Sequence, residues 1–589
     1  MNRLNLSGYI KKYSFIYIIA LLAMSASTVL DQLAPLIVQH IVDDVLIARK
    51  MELLKLLLLG ILGIGIGRCI FQYTKEFLCD VAGSKIASKI RINLFRKIQS
   101  LSANFFDGIN SGELMSRVKD DVDRIWEVLA YMGILMAEVF IRTGVTLYFM
   151  IRINWQLALI PVAGMIVSGI IAVFMEKRLD DLYGKVAEEG SEMNNTAAEN
   201  LAGVRTVKAF AREGFEITKF HRHNQKFYEL NIDLSRVFVK YNPIIQMITR
   251  LLSVVSLLLG GFFVIKGNPL DGWKQMSIGE LMAFIQYVAG MIWPMEMLGW
   301  LTNGFSGAKA SIKRLNKIYR ETPDITDRSP LKDEDLSDSL FTPFDLNGEI
   351  TFSNVSYIQN GQKILDNVSF KIESGKTLGI MGATGSGKTT IINLLKRMYD
   401  VTEGSIKIDG IDIREIPLPT LRRAVSCVMQ DIFLFSDTIE GNIRLGEREK
   451  ISTAEVRSAL MQSHSQEFVD RMEDRENTVI GERGVGLSGG QKQRITIARA
   501  LARKTPVLVL DDSTSALDTE TEQEIQNVLS ELTGMTKIII AHRISAVRKA
   551  DKIIILENGH IAEEGTHEEL LSKNGLYRET YSTQYGEQK

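Results

Sequence analysis

A glycine-rich loop decides the fold of the second half of the chain. It reads Gly382-Ala383-Thr384-Gly385-Ser386-Gly387-Lys388-Thr389, after the apolar run 377–381 and before the helical run 390–398. A strand, such a loop and a helix in this order form a P-loop, whose glycines let backbone N–H groups close around phosphates. Lys388 is placed to reach the β- and γ-phosphates of ATP, and Thr389 to bind Mg²⁺. The sequence thus predicts an ATP site whose last member is Thr390.

A carboxylate ends the short apolar run Val507–Asp511. Such a run is typical of a buried strand in a parallel sheet. Asp511 is then expected at the carboxyl end of that sheet, beside the P-loop, where it would hold Mg²⁺. Many buried strands end in aspartate, so this interpretation depends on the P-loop that accompanies it.

Length and composition indicate two dissimilar halves. The chain has 589 residues, too many for one ordinary domain, and 46% of them are hydrophobic. The long apolar runs lie before about residue 305, and the pattern from about residue 350 is that of a soluble α/β domain. A net charge of -1 without a basic stripe argues against nucleic acid as a partner. Cys69, Cys79 and Cys427 show no metal-ligand spacing and no disulfide framework.

The first half contains six candidate membrane spans. A spanning helix needs about 20 mostly apolar residues, and residues 13–30 and 154–175 meet this need without a charge. Four weaker candidates contain or adjoin charges, at residues 53–72, 128–151, 251–265 and 281–299. Buried helices of a large soluble domain are the alternative for these four. Lysine and arginine before the first span predict a cytoplasmic N-terminus, with the long segments 80–127 and 176–240 also inside.

Charges within the spans have two interpretations, since they face a partner or a pathway. Glu138 and Arg142 are spaced i, i+4 and are expected to neutralise each other on one helix face. Asp31, Arg250 and Glu296 have no evident local partner. Each is therefore a candidate pathway residue, with a helix end near lipid headgroups as the alternative.

A further phosphate-binding element lies between the P-loop and Asp511. The run Ser488-Gly489-Gly490-Gln491 opens a helix and exposes backbone N–H groups, although an ordinary helix cap at Ser488 is the alternative. This run resembles the signature of ABC transporters, and the whole chain is similar to half-size ABC exporters of the multidrug and lipid-flippase type. The resemblance is close over residues 350–580. It is weak in the first half, at residues 111–117 with Asp121 and at residues 203–210.

The resemblance implies a dimer that encloses two ATP molecules. Each site would join the P-loop and Asp511 of one subunit to the signature of the other subunit. Gln430 would sense the γ-phosphate and Mg²⁺, and His542 would contact the γ-phosphate. A loop at residues 515–518 would communicate across the dimer. Glu482 would touch coupling helices within residues 106–122 and 208–220.

Two positions depart from the family pattern. Gln359 stands where an aromatic residue is expected to stack on adenine, so Tyr357 on the same strand face is the predicted substitute. Asp512 stands where the family has a catalytic glutamate. Its side chain is one methylene shorter, and a displacement of about 1 Å can cost on the order of 100-fold in rate. A tolerated change with modest loss is the alternative. With an intact signature, the chain resembles the degenerate-site subunit of a heterodimer.

The predicted fold is multidomain. An all-α six-helix transmembrane domain (1–320) is followed by a linker (321–349) and an α/β P-loop nucleotide-binding domain with a helical subdomain (350–589). The predicted function is ATP-driven export of amphipathic drugs, lipids or peptides across a bacterial plasma membrane. It would require ATP, Mg²⁺, membrane lipid and a second half-exporter with glutamate at the catalytic position. The alternatives are an ATP-gated membrane regulator that pumps nothing and a soluble ABC ATPase acting on ribosomes or DNA.

Overall fold

The computed structural model describes residues 3–266, 276–326, 346–481, 484–514 and 517–586. The chain divides into two compact units, one of residues 1–101 and 109–322 and the other of residues 102–108 and 323–589. The second unit therefore includes a short segment from the first half, where the sequence predicts one continuous domain. Most of the predicted linker, Glu482 and Ser515 lie outside the described residues.

The described part of the first unit is built of helices. In chain order, and with the short α4 belonging to the second unit, the helices are α1 (Leu6–Lys12), α2 (Ser14–His40), α3 (Glu52–Gln99), α4 (Ala103–Asp107), α5 (Ser111–Ser116), α6 (Val122–Glu127), α7 (Gly133–Ala202), α8 (Val204–Ala209), α9 (Glu213–Lys266), α10 (Ile278–Gly290) and α11 (Ile292–Arg320). Three π-helical turns continue α2, α5 and α6, at Ile41–Ile47, Arg117–Asp121 and Val128–Met132.

Five helical stretches among the described residues are long and apolar enough to cross a membrane. The six-span count therefore stays a prediction. The longest stretch, Ser111–Ala202, contains a break at Asn154, whose φ of -155° and ψ of 106° are not helical. The sequence places a connection between two spans at this point. The side-chain amide oxygen of Asn154 accepts from the backbone N–H groups of Gln156 and Leu157, which starts the next helical segment.

Apolar side chains cover the outer surface of α3. Five of them are more than half exposed: Leu56 (67%), Leu59 (55%), Leu62 (60%), Ile66 (54%) and Ile70 (59%). A continuous apolar surface of this kind is rare on soluble proteins and is what a lipid-facing helix requires. This arrangement argues against buried helices of a soluble domain as the alternative for residues 53–72.

The prediction that Glu138 and Arg142 neutralise each other is wrong. The Glu138 carboxylate accepts from Lys75 Nζ at 2.9 Å, and Lys75 is only 3% exposed. Arg142 instead donates to Asp31 at 2.6 Å, and Arg68 lies 2.5 Å from the other oxygen of Asp31. The physical reason is that α2, α3 and α7 pack together, so charges distant in sequence meet more closely than neighbours on one helix.

The remaining pathway candidates differ in what the structure says of them. Asp31 has the two partners just described, so its lack of a local partner in sequence does not make it an isolated charge. Arg250 is exposed on α9. The side chain of Glu296 lies outside the described residues.

Two sheets form the second unit. Its strands are β1 (Ile350–Gln359), β2 (Gln362–Ile372), β3 (Thr377–Gly382), β4 (Glu403–Ile408), β5 (Ile411–Asp412), β6 (Val425–Val428), β7 (Val507–Asp511), β8 (Thr536–Ile540), β9 (Lys552–Glu557) and β10 (His560–Gly565). The antiparallel sheet has the order β2-β1-β4-β5, and the second sheet has the order β10-β9-β3-β8-β7-β6. In the second sheet every pair is parallel except β9 with β10.

Helices cover the parallel sheet and form a group between β6 and β7 in sequence. They are α12 (Lys388–Leu395), α13 (Leu418–Ala424), α14 (Ile439–Ile443), α15 (Thr453–Gln462), α16 (Gln466–Asp470), α17 (Gly489–Ala502), α18 (Thr519–Glu531), α19 (Ile544–Val547), α20 (His567–Ser572) and α21 (Leu576–Tyr585). Every residue of β7 and β8 is buried, as the uniformly apolar runs predict. A helical domain followed by an α/β domain with a helical insertion confirms the predicted fold class.

Candidate ATP site

The parallel sheet brings the sequence-predicted residues to one edge. β3, β8, β7 and β6 are neighbours, and both Ile380 of β3 and Asp511 of β7 pair with Ile540 at the end of β8. The P-loop follows β3, His542 follows β8, and Gln430 follows β6. Since all four strands run parallel, their carboxyl ends meet at the same edge, where ligands bind in such folds.

Two glycines of the P-loop stand where no other residue fits. A Cβ on Gly382 would lie 2.2 Å from the backbone oxygen of Leu556, and a Cβ on Gly387 would lie 2.6 Å from Leu365. Gly387 also has a φ of 99°, which favours glycine. It precedes α12 without a side-chain cap, so the first N–H groups of that helix stay available for a phosphate.

Lys388 is folded back onto the loop that it belongs to. Its Nζ donates to the backbone oxygens of Gly382 and Ala383, each at 2.8 Å. Burial lowers the pKa of Lys388, and the nearby carboxylates of Asp511 and Asp512 oppose this shift. The ammonium group is thus held within the curve of the loop, where a phosphate chain would lie.

Asp511 and Ser386 provide buried oxygens that fit Mg²⁺-bound ATP. Asp511 is 2% exposed, and neither its Oδ2 nor the Ser386 hydroxyl has a hydrogen-bond partner among the described residues. Burial raises the pKa of Asp511, and the Thr389 side chain and the charge of Lys388 oppose this shift. Unpartnered buried oxygens are costly unless a ligand satisfies them. Carboxylate and hydroxyl oxygens are the ligands that Mg²⁺ takes from a P-loop site.

Asp512 has an unusual backbone conformation, with a φ of 45°. Aspartate tolerates this left-handed region better than most residues other than glycine. The Asp512 N–H donates to Ile540 at 2.9 Å, and its carbonyl accepts from Gln493 of α17 at 3.3 Å. The residue after β7 is therefore fixed by the strand beside it and by the helix that follows the signature.

The signature residues form the N-terminus of α17. Ser488 accepts from the N–H of Gln491, and the Gln491 side chain accepts from the N–H of Ser488. This reciprocal capping box occupies the Gln491 side chain, so any contact of Gln491 with a nucleotide would come from its backbone. Nothing lies within 4 Å of a Cβ built on Gly489, which leaves that backbone open for a phosphate from outside the chain.

Tyr357 is not placed to stack on adenine. It is 6% exposed, and its ring packs 5.8 Å from that of Tyr399 within the core. Burial of this degree leaves almost no ring face for a base, which corrects the prediction that Tyr357 binds ATP. The strand has register shifts on both sides of Tyr357, so simple alternation does not give its orientation.

The structure adds a contact that the sequence does not reveal. Tyr399 donates to Asp107 of α4 at 2.9 Å, which fixes this short helix within the second unit. Burial and this contact raise the pKa of Tyr399 to about 12. Residues 292 positions apart carry no local signal of pairing. The resemblance placed a coupling helix within 106–122, and α4 overlaps only the start of that range.

The geometry defines a class of protein: a nucleotide-binding domain with a P-loop and a signature helix, fused to a helical membrane domain. Residues 16–295 match the family model of the ABC transporter transmembrane region, and residues 365–515 match that of the ABC transporter. The chain belongs to the ABC transporter family, as an exporter with both domains in one polypeptide. It is a multi-pass membrane protein.

Full-length relatives and a solved structure agree with this assignment. The chain is 34% identical over 583 residues to the uncharacterized ABC transporter ATP-binding protein YknU of Bacillus subtilis, covering 98% of this chain and 97% of that one. It is 33% identical to an ATP-dependent lipid A-core flippase of Desulfotalea psychrophila, with 97% of each chain covered. A bacterial Atm1-family ABC exporter solved with ATP bound has a TM-score of 0.81 at 26% identity, covering 98% of this chain and 99% of that one. The chain therefore couples ATP hydrolysis to export across a membrane.

Proposed function

We propose that this chain is one subunit of a heterodimeric exporter and that its own ATP site hydrolyses slowly. The observation that carries the proposal is Asp512, an aspartate at the position of the catalytic base. Its backbone is fixed by Ile540 and Gln493, so the backbone cannot move forward to compensate for the shorter side chain. The carboxylate then falls short of the attacking water by about 1 Å, a loss on the order of 100-fold.

The residues of this chain have distinct roles at that site. Lys388 leaves its two backbone oxygens and binds the β- and γ-phosphates. Backbone N–H groups of residues 382–390 surround the phosphate chain. Thr389, Gln430 and Asp511 would hold Mg²⁺, which supplies positive charge against the phosphate oxygens. Asp512 orients the attacking water, and His542 contacts the γ-phosphate.

The second ATP site is completed by this chain's signature. Ser488, Gly489 and Gly490 would contact the γ-phosphate of ATP bound to the partner, which carries glutamate at the catalytic position. The open space around Gly489 supports this role. ATP then closes the dimer because the closed state adds these contacts, and a ligand shifts a conformational equilibrium only through such differential affinity.

Location and substrate follow from the membrane unit. The N-terminus and the ATPase unit lie in the cytoplasm, and the membrane is a bacterial plasma membrane. The substrate is amphipathic, which agrees with a relative named as a lipid A-core flippase. The apolar outer surface of α3 supports contact with membrane lipid.

Unequal effects of two substitutions test the proposal in the purified heterodimer. Gly489→Asp places a negative charge against the partner's ATP and should nearly abolish steady-state ATP hydrolysis. Asp512→Ala affects only the slow site and should leave most hydrolysis intact. The proposal fails if the chain purifies as a homodimer with rapid turnover that Asp512→Ala abolishes.

A further inference from the structure

The last helix of the chain contacts the loop that carries His542. Gln584 lies one residue before the end of α21, and its Nε2 donates to the backbone carbonyl of His542 at 2.7 Å. Its Oε1 accepts from the backbone N–H of Ile544 at 2.9 Å. A primary amide carries both a donor and an acceptor, so one side chain binds the backbone on both sides of Arg543.

This loop lies beyond the regular hydrogen bonding of the sheet. β8 ends at Ile540, and the N–H of Ala541 still donates to Ile380 of β3 at 3.2 Å. His542 follows immediately, is exposed, and belongs to no strand or helix. Gln584 therefore binds the backbone at the point where the sheet no longer restrains it.

Glu522 restrains the same loop independently. It is 4% exposed, and its carboxylate accepts from Arg543 Nη1 at 3.0 Å and from the Thr514 hydroxyl at 3.2 Å. This contact fixes the side chain that follows His542, whereas Gln584 fixes the peptide groups. Loss of Gln584 therefore loosens the loop without releasing it.

The helix that presents Gln584 has a fixed starting point. The Glu563 carboxylate accepts from the N–H groups of Leu576 and Tyr577, the first two residues of α21. Tyr577 is fully buried, and its hydroxyl lies 2.6 Å from His567 Nδ1. The position of Gln584 is thus set by a helix that is bonded at its first turn.

We propose that Gln584 is a positioning residue that holds His542 in line with the γ-phosphate. The inference rests on the proposed role of His542 at the ATP site. Displacement of a reacting group by about 1 Å can cost on the order of 100-fold in rate. Since Glu522 still restrains the loop, Gln584→Ala should lower kcat about tenfold, which is about 1.4 kcal/mol in the barrier. The KM for ATP should change less than about twofold, because the P-loop supplies most of the binding contacts.

The test uses the full-length chain in lipid nanodiscs, with Asp512→Glu introduced so that its own site turns over measurably. Four variants are made in this background: Gln584→Ala, Gln584→Glu, His542→Ala and the control Thr583→Ala. The Thr583 hydroxyl bonds only to the Glu579 carbonyl of its own helix, at 2.9 Å, so its loss should leave kcat unchanged. Rates are normalised to the fraction of protein that binds ATP, which removes any loss of folded protein.

Gln584→Glu provides a readout that a merely structural role would not move. The ionised carboxylate accepts from Ile544 but cannot donate to the His542 carbonyl, whereas the protonated carboxyl can do both. Its kcat relative to the parent should therefore rise as the pH falls through the pKa of the introduced carboxyl.

The outcomes separate this proposal from the proposed function. If His542→Ala lowers kcat and Gln584→Ala matches Thr583→Ala, Gln584 has no positioning role although the site assignment stands. If His542→Ala itself has no effect, the assignment of His542 fails and the inference fails with it. A raised KM at unchanged kcat also overturns positioning, because the effect would then be on nucleotide binding.

Discussion

Replacing Glu138 by glutamine tests which cation neutralises this carboxylate within the membrane unit. Lys75 Nζ lies 2.9 Å from Glu138, and the lysine and glutamate side chains are 4% and 12% exposed. Glu138→Gln leaves the lysine buried beside only one other carboxylate, Glu76 at 3.8 Å, which is 59% exposed. Breaking a buried pair by removing one partner costs about 3–5 kcal/mol. The nearby Glu76 reduces this, so we expect a loss of about 2 kcal/mol in the free energy of unfolding.

Two double-mutant cycles identify the partner, with unfolding measured by denaturant titration in mixed micelles. Lys75→Met combined with Glu138→Gln should recover most of the stability, which gives a coupling of about 2 kcal/mol. Arg142→Met combined with Glu138→Gln is the matched control. It should show a coupling below about 0.5 kcal/mol, the usual size for i, i+4 neighbours, because Arg142 pairs with Asp31. A larger coupling to Arg142 than to Lys75 would refute the structural assignment.

Two further predictions concern ATP. Lys388→Ala should weaken ATP binding at this chain's own site more than about tenfold, since it removes the charge that faces the β- and γ-phosphates; unchanged affinity by calorimetry would count against the P-loop assignment. ATP with vanadate should shorten the distance between spin labels on the two ATPase units of the dimer, and identical distance distributions with and without nucleotide would defeat closure as the driving step.

The sequence predicts the ATP site better than the membrane unit for a physical reason. Binding phosphate demands glycine at fixed places, and residues 382–389 form one continuous segment, so the chemistry is visible in the sequence. Asp511 could be predicted because a buried parallel strand must be apolar up to its end. The register shifts around Tyr357 hide its burial, since alternation no longer tells which face it occupies.

Long-range contacts could not be predicted. Glu138 and Lys75 are 63 positions apart, and a single sequence offers only Arg142 as an adjacent partner. Gln584 has no motif, because any exposed glutamine at a helix end looks the same until the fold places it against the backbone of His542. Such contacts depend on how elements pack, and packing is set by the whole chain.

The most direct test of the central claim is the fate of the γ-phosphate on this chain. The purified heterodimer is incubated during turnover with a photoreactive adenine-azido ATP that carries a radioactive label on either the α- or the γ-phosphate. It is then irradiated, and the two subunits are separated. A slow own site predicts that this chain keeps both labels, whereas the partner keeps the α-label and loses the γ-label. If the ratio of γ- to α-label falls as fast on this chain as on the partner, Asp512 is a working base and the account of a slow site is wrong.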